Sequence, residues 1–149
     1  VTDQRIRVIE FIARSAAPET QVVLPRLVTP LSELLFSAST GQLAGVTHPQ
    51  FSDDVAVTVV LASEGYPVTA APTRPLTGLD EAAAVEGVTI AHAATARSAD
   101  GFVATGGRVL SVVATGADFA EARARAYEAI GRIGLEGGQY RTDIAARVV

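Results

Sequence analysis

The chain of 149 residues has no cysteine, lysine, asparagine, methionine or tryptophan. Without cysteine there is no disulfide, no thiolate nucleophile and no cysteine zinc site. The absence of lysine removes the phosphate-gripping lysine of a P-loop, a Schiff-base lysine and any biotinyl or lipoyl attachment point. All 12 basic residues are therefore arginines. Extreme GC bias in the coding sequence, or processing or engineering of the chain, would produce such a composition. Aromatic residues are also sparse, at 5%. No apolar run approaches the ~20 residues that span a bilayer, and no secretory signal leads the chain. A cytoplasmic protein without a membrane partner is the expectation.

With 48% hydrophobic and 19% charged residues, the chain can bury one core, or two small ones sharing a face. A net charge of -4 with no basic run argues against a nucleic-acid partner.

Residues 5–12 carry β-branched side chains with Arg5, Arg7 and Glu10 among them, which reads as a strand with one partly exposed face. Pro18 then opens a helix, where a missing N–H costs nothing, and Glu19 suits the positive end of its dipole. Pro25 falls inside the apolar run Val22, Val23, Leu24, Leu27, so this helix is expected to be short or kinked. Thr29-Pro30 reads as a cap and a first-turn proline for a second helix. Leu31, Leu34, Leu35 and Ala38 recur on one face as core packing, and Gly41 stops it. Residues 42–54 read as a connecting loop and domain boundary.

The remainder is β-rich. Residues 55–62 form a near-continuous apolar strand that reads as buried on both faces, ended by Glu64-Gly65-Tyr66-Pro67. After a loop rich in Pro, Thr and Ala, residues 87–96 alternate as one strand. Ser98-Ala99-Asp100-Gly101 is a turn, and residues 102–105 return as its hairpin partner. Gly106-Gly107 leads into a strand over 108–115. Asp118 and Glu121 have capping-box spacing before the stripe Phe119, Ala122, Ala126, Ile130, Ile133, a helix that should cross the sheet and end at Gly134. Thr142-Asp143 is a second cap candidate, for a short terminal helix or strand.

The segment Val8-Ile9-Glu10-Phe11-Ile12-Ala13-Arg14-Ser15-Ala16-Ala17-Pro18-Glu19-Thr20-Gln21 resembles the metal-binding strand of the glycinamide ribonucleotide synthetase (phosphoribosylamine-glycine ligase) family of ATP-grasp ligases. That family usually carries Asn at the position of Ile12 and Phe-Gly-Asp at Ser15-Ala16-Ala17. Further likeness runs in order through Glu64-Gly65-Tyr66-Pro67, Thr77-Gly78-Leu79, His92-Ala93, Gly106-Gly107-Arg108-Val109-Leu110, Glu121-Ala122-Arg123 and Tyr140-Arg141-Thr142-Asp143. The resemblance implies an α/β (α+β) fold. The end of an ATP-grasp domain, a strand plus two helices, would occupy residues 1–46. A small β-sandwich or half-barrel with a packed helix would occupy residues 53–149.

The family joins phosphoribosylamine to glycine using ATP and magnesium, in an enzyme about three times this length by the usual domain-size prior. By that resemblance Glu10 is a vestigial metal ligand, and Arg14, Pro18 and Glu19 are vestigial substrate contacts. Period-two alternation puts Ile12 on the face of Glu10, where it offers no oxygen to magnesium. The chain by itself is therefore expected to be inactive and to bind no cofactor. Val68 and Ala94 stand where the family usually has glycine. The replacements lean apolar, which fits an interface through Ile12, Ala16, Ala17 and Val68. The expected partners are a second copy of the chain or the missing ligase domains. The alternative is an engineered or repurposed self-associating scaffold without catalysis.

Other motifs favour structural roles. Glu10 with Glu19 could be paired carboxylates, but a strand-edge acid and a helix-start acid suffice. His48 and His92 lack a second ligand at metal spacing and read as a solvated loop residue and a hydrogen-bonded sheet residue. Ser15, Ser63 and Ser111 lack a nucleophile-elbow setting. Gly106-Gly107-Arg108 and Thr115-Gly116-Ala117-Asp118 invite a phosphate-loop reading, set aside in favour of turn geometry. Arg123, Arg125 and Arg132 interleave with Glu121, Glu128 and Glu136 and should form ion pairs on a solvated face.

Overall fold

Strand β1 (Val55–Ala62) pairs antiparallel with β6 (Arg108–Gly116), and β6 pairs on its other edge with β3 (Val88–His92), in a computed structural model describing residues 15–69 and 71–148. This three-stranded sheet has the order β1-β6-β3. A second antiparallel sheet has the order β2-β5-β4, from β2 (Arg74–Leu76), β4 (Thr95–Ser98) and β5 (Gly101–Ala104). The mixed α/β class expected from the sequence is the class observed.

Alternation along β1 sends Val57, Val59 and Leu61 to one face of the first sheet, where they are buried with Leu110 and Val112. Helix α4 (Phe119–Gly131) covers that face. Its stripe of Ala122, Ala126, Ala129 and Ile130 is buried, and the three small alanines let the helix backbone approach the sheet closely. Each fully buried Val or Leu contributes about 1.5–3 kcal/mol. The amino-terminal end is set by the expected box. The Glu121 N–H donates to Asp118 Oδ1 at 2.8 Å, and Glu121 Oε2 accepts from the Ala117 N–H at 2.7 Å. Two of the expected arginines pair with glutamates of the same helix, Arg125 with Glu121 at 2.9 Å and Arg132 with Glu128 at 2.5 Å, whereas Arg123 bonds the Ile144 and Thr142 carbonyls. Glu136 instead pairs with Arg74.

Several local expectations are corrected. Residues 87–96 are not one strand: the chain breaks at Ala93-Ala94 and passes from β3 in the first sheet to β4 in the second. The hairpin of β4 and β5 forms where the turn was read, with Ser98 opposite Gly101. The loop after Pro67 contains β2 and then α3 (Leu79–Ala83), which sequence alone did not resolve because both elements are short. Gly78 supplies the entry to α3 at φ 73°, and a Cβ there would lie 1.9 Å from the Arg132 carbonyl oxygen. The tail forms turns over 144–147 in place of a helix or strand, because α4 side chains take up its backbone groups.

On the other face of the first sheet lie α1 (Thr20–Val23) and a following 3-10 turn (Leu24–Arg26), the short, interrupted helix that Pro25 predicted. Leu27 bridges Phe51, and Arg26 O accepts the Ser52 N–H at 2.7 Å. Residues 26–29 and 50–52 are thus clamped together, and α2 (Leu31–Ser39) is an excursion between them. Thr29 does not cap α2; its hydroxyl accepts the Gln50 N–H at 2.8 Å. The expected core packing of α2 is not found either. Leu35 and Phe36 are 60% and 65% exposed, and Leu31 is exposed as well. Helical periodicity defines an apolar face but not the surface that covers it. The strand expected over residues 5–12 lies outside the described residues.

Candidate functional site

A cleft of about 360 Å³ opens where the segment before α1 meets the end of the first sheet. It is lined by Pro18, Val60, Ala62, Tyr66, Arg108, Gln139, Tyr140 and Arg141. Four chain segments are brought together there by backbone and side-chain hydrogen bonds. Ala62 and Gln139 exchange N–H···O bonds in both directions at 2.9 Å, so the chain after α4 runs along the open edge of β1 and delivers residues 139–141. Gln139 Nε2 donates to the carbonyls of Ser63, at 3.2 Å, and Tyr66, at 3.0 Å, which holds the Tyr66 turn against that edge. On the third side Arg108 Nη1 donates to Ala17 O at 3.4 Å, linking the start of β6 to the segment before α1.

The floor is apolar and the rim is polar. Val60 and Ala62 lie at the base, and Ser63, the next residue, is 5% exposed. Arg141 grips Asp143 in a fork, Nε to Oδ1 at 2.8 Å and Nη2 to Oδ2 at 2.6 Å. That bond, and the adjacent positive charge, hold the Asp143 carboxyl below the usual carboxylate range. Arg108 has no carboxylate partner among the described residues, where its contact is the Ala17 carbonyl.

Of the sequence-derived candidates among the described residues, only Pro18 lines this cleft. Glu19 is exposed at the start of α1, and its side chain makes no capping bond. Ala16 is half-buried, and its carbonyl accepts both the Thr20 N–H and the Thr20 hydroxyl. Ala17 is exposed and bonded to Arg108 through its carbonyl. Val68 is 87% exposed in the turn after Tyr66. Glu10, Ile12 and Arg14 lie outside the described residues. The elements reaching the cleft that sequence reading did not nominate are Tyr66, Arg108, Gln139, Tyr140 and Arg141. Gly106-Gly107-Arg108 was the available signal, and its dismissal as a turn missed where the arginine points. His92 does bond within the sheet region, Nδ1 to Thr95 Oγ1 at 3.0 Å, with its ring 4.7 Å from Phe102.

Residues 56–147 match the family model described as "Phosphoribosylglycinamide synthetase, C domain". The chain belongs to the phosphoribosylglycinamide synthetase family. Over 149 residues it is 65% identical to a phosphoribosylamine–glycine ligase of Leifsonia xyli, covering 99% of this chain and 36% of that protein. Identity to the Streptomyces coelicolor enzyme of the same name is 56% over the same share of both chains. The crystal structure of phosphoribosylamine–glycine ligase from Thermotoga maritima superposes with a TM-score of 0.68 at 31% identity, over 91% of this chain and 32% of that one. The chain thus spans about a third of the length of the synthetase-family relatives it matches. Its β-rich part corresponds to their C domain, and the cleft sits where that domain meets the segment preceding it.

Proposed function

We propose that this chain is the carboxy-terminal portion of a phosphoribosylamine–glycine ligase of purine biosynthesis, contributing one wall of the substrate cleft and inert by itself. The observation that carries this reading is identity of 65% over essentially the whole chain to a relative of which it covers only 36%. Magnesium and ATP are implied by the family. The metal ligand suggested by the resemblance, Glu10, lies outside the described residues, and among the described residues no three His, Cys, Asp or Glu side chains converge. The described residues do not make up a magnesium–nucleotide site. What they offer the reaction is binding and positioning. The remaining ligase domains are the partner this reading calls for, and the cytoplasm is the compartment it fits.

The deciding assay measures ADP and product from ATP, phosphoribosylamine and glycine. The chain alone is expected to give neither. The chain mixed with the amino-terminal part of the Leifsonia xyli relative is expected to give both. Turnover by the chain alone would refute inertness, and silence of the mixture would refute the ligase assignment.

A second reading, a self-associating scaffold, is favoured by the exposed apolar side chains Leu35, Phe36 and Val68. Light scattering over a tenfold concentration range separates the two. A stable oligomer that Leu35→Asp dissolves supports the scaffold, and a monomer throughout eliminates it.

A further inference from the structure

We infer that Gln139 is a positioning residue of the cleft: its side-chain amide sets where the turn of residues 63–69, and with it Tyr66, stands at the rim. A part in the reaction rests on the ligase reading; the hold on the turn rests on the geometry. The turn closes on itself, with the Tyr66 N–H on Ser63 O at 3.2 Å and the Val68 and Thr69 N–H groups on Gly65 O at 2.8 and 3.0 Å. Those bonds give the turn its shape and leave open where it lies relative to the cleft. The opposite segment decides that. Gln139 is fixed by its reciprocal backbone pair with Ala62, and from there its Nε2 donates to Ser63 O at 3.2 Å and to Tyr66 O at 3.0 Å. An amide nitrogen carries two hydrogens, and here each has a carbonyl to meet. Both neighbours are acceptors, so the reversed amide would set oxygen against oxygen.

A second tie lies at the base of the turn. Arg74 of β2 bridges Glu64 at 3.1 Å and Glu136 at 2.5 Å. Gly137 lets those two segments approach, since a Cβ there would stand 2.9 Å from Glu64 Oε2. Gln139 and Tyr66 line the cleft, whereas Arg74, Glu64 and Glu136 do not. The Arg74 bridge therefore fastens the root of the turn, and Gln139 fastens the residue that reaches the cleft. A wall residue that drifts loses its contact with bound substrate in the ground state and the transition state alike, so the signature falls on KM rather than kcat.

The first measurement is on the unaltered chain, where the Gln139 side-chain amide protons are expected to give Overhauser contacts to Ser63 and Tyr66. Their absence would overturn the proposal without any variant. Gln139→Glu, close in shape but without donors, is then expected to shift the Tyr66 ring resonances and to speed hydrogen exchange at Val68 and Thr69. In the ligase mixture made with the amino-terminal part of the Leifsonia xyli relative, it should raise the KM for phosphoribosylamine or glycine about 5- to 10-fold, the worth of two neutral hydrogen bonds at a largely exposed site. The KM for ATP and kcat should not move. Arg74→Met should lower the urea midpoint and leave every KM unchanged. An equal rise in the KM for ATP, a change confined to kcat, no kinetic change, or the same KM rise in Arg74→Met would each overturn the assignment. Gln139→Ala takes the place of Gln139→Glu if the latter does not fold. If the unaltered mixture makes no product, the ligase reading fails, and the amide contacts and ring shift alone decide whether Gln139 holds the turn.

Discussion

Arg123 on α4 donates from Nε to Ile144 O at 2.9 Å and from Nη2 to Thr142 O at 2.9 Å, so one side chain holds two carbonyls of the terminal segment. Its guanidinium also lies 4.6 Å from the centre of the Tyr127 ring, whose hydroxyl donates to Arg141 O at 2.7 Å and accepts the Ile144 N–H at 3.0 Å. The tail needs no secondary structure of its own, because α4 satisfies its backbone. Since residues 139–141 form one side of the cleft, the packing of α4 and the shape of the site are linked through this pair of side chains.

Arg123→Ala therefore releases the tail before it unfolds the sheet. The expected cost is about 1–3 kcal/mol, from two bonds to a charged donor. Hydrogen exchange should rise at residues 142–148 while β1 and β6 stay protected. Uniform loss of protection across the chain would show that the tail is part of the global folding unit.

Asp118→Ala removes the side-chain acceptor for the Glu121 N–H at the start of α4. The expected loss is about 1 kcal/mol. In a domain of this size that lowers the melting temperature by about 2–6 °C. Asp118→Asn, which keeps an acceptor, should recover most of it in the same thermal scan.

Gly78→Ala places a Cβ 1.9 Å from the Arg132 carbonyl oxygen and forces a non-glycine residue to φ 73°. Left-handed backbone alone costs about 1–3 kcal/mol, and the clash with backbone adds to it. Gly45→Ala, where a Cβ would meet nothing within 4 Å, is the matched control. Urea unfolding should separate the two by at least about 2 kcal/mol; equal midpoints would refute the account.

Acid should weaken the Arg74–Glu136 and Arg141–Asp143 pairs. A side-chain hydrogen bond to arginine, with the opposite charge behind it, holds the Glu136 carboxyl below its ordinary value, and Asp143 is lowered chiefly by its bond to Arg141. Carboxyls with depressed folded-state pKa values contribute stability above the unfolded carboxylate range, and lose it as pH falls through the folded values. Both acids are largely exposed, so the contribution is small and screened by salt. The urea midpoint should fall between pH 5 and about pH 3, less steeply in Glu136→Gln than in the unaltered chain. Identical slopes would remove Glu136 from the explanation.

Elements whose signal is local were legible in the sequence. The cap of α4 was readable because Asp118 and Glu121 need only their own turn, and the β4–β5 hairpin because Ser98-Ala99-Asp100-Gly101 carries its own turn chemistry. The same holds for the short helix that Pro25 interrupts. The family, too, was legible from ordered motifs. What escaped was anything defined by a partner distant in sequence. The break at Ala93-Ala94, the exposure of Leu35 and Phe36, and the assembly of Pro18, Arg108 and Tyr140 into one cleft depend on which strand edge each segment meets.

Sequence by itself determined the α/β class, the positions of the turns and caps, and the family, because periodicity, capping and motif order act over a few residues at a time. Only the tertiary structure decided that Gln139 runs beside Ala62, that Arg141 is spent on Asp143, and that Arg108 meets no carboxylate among the described residues. Those facts follow from long-range backbone pairing and charge compensation, which no local pattern encodes.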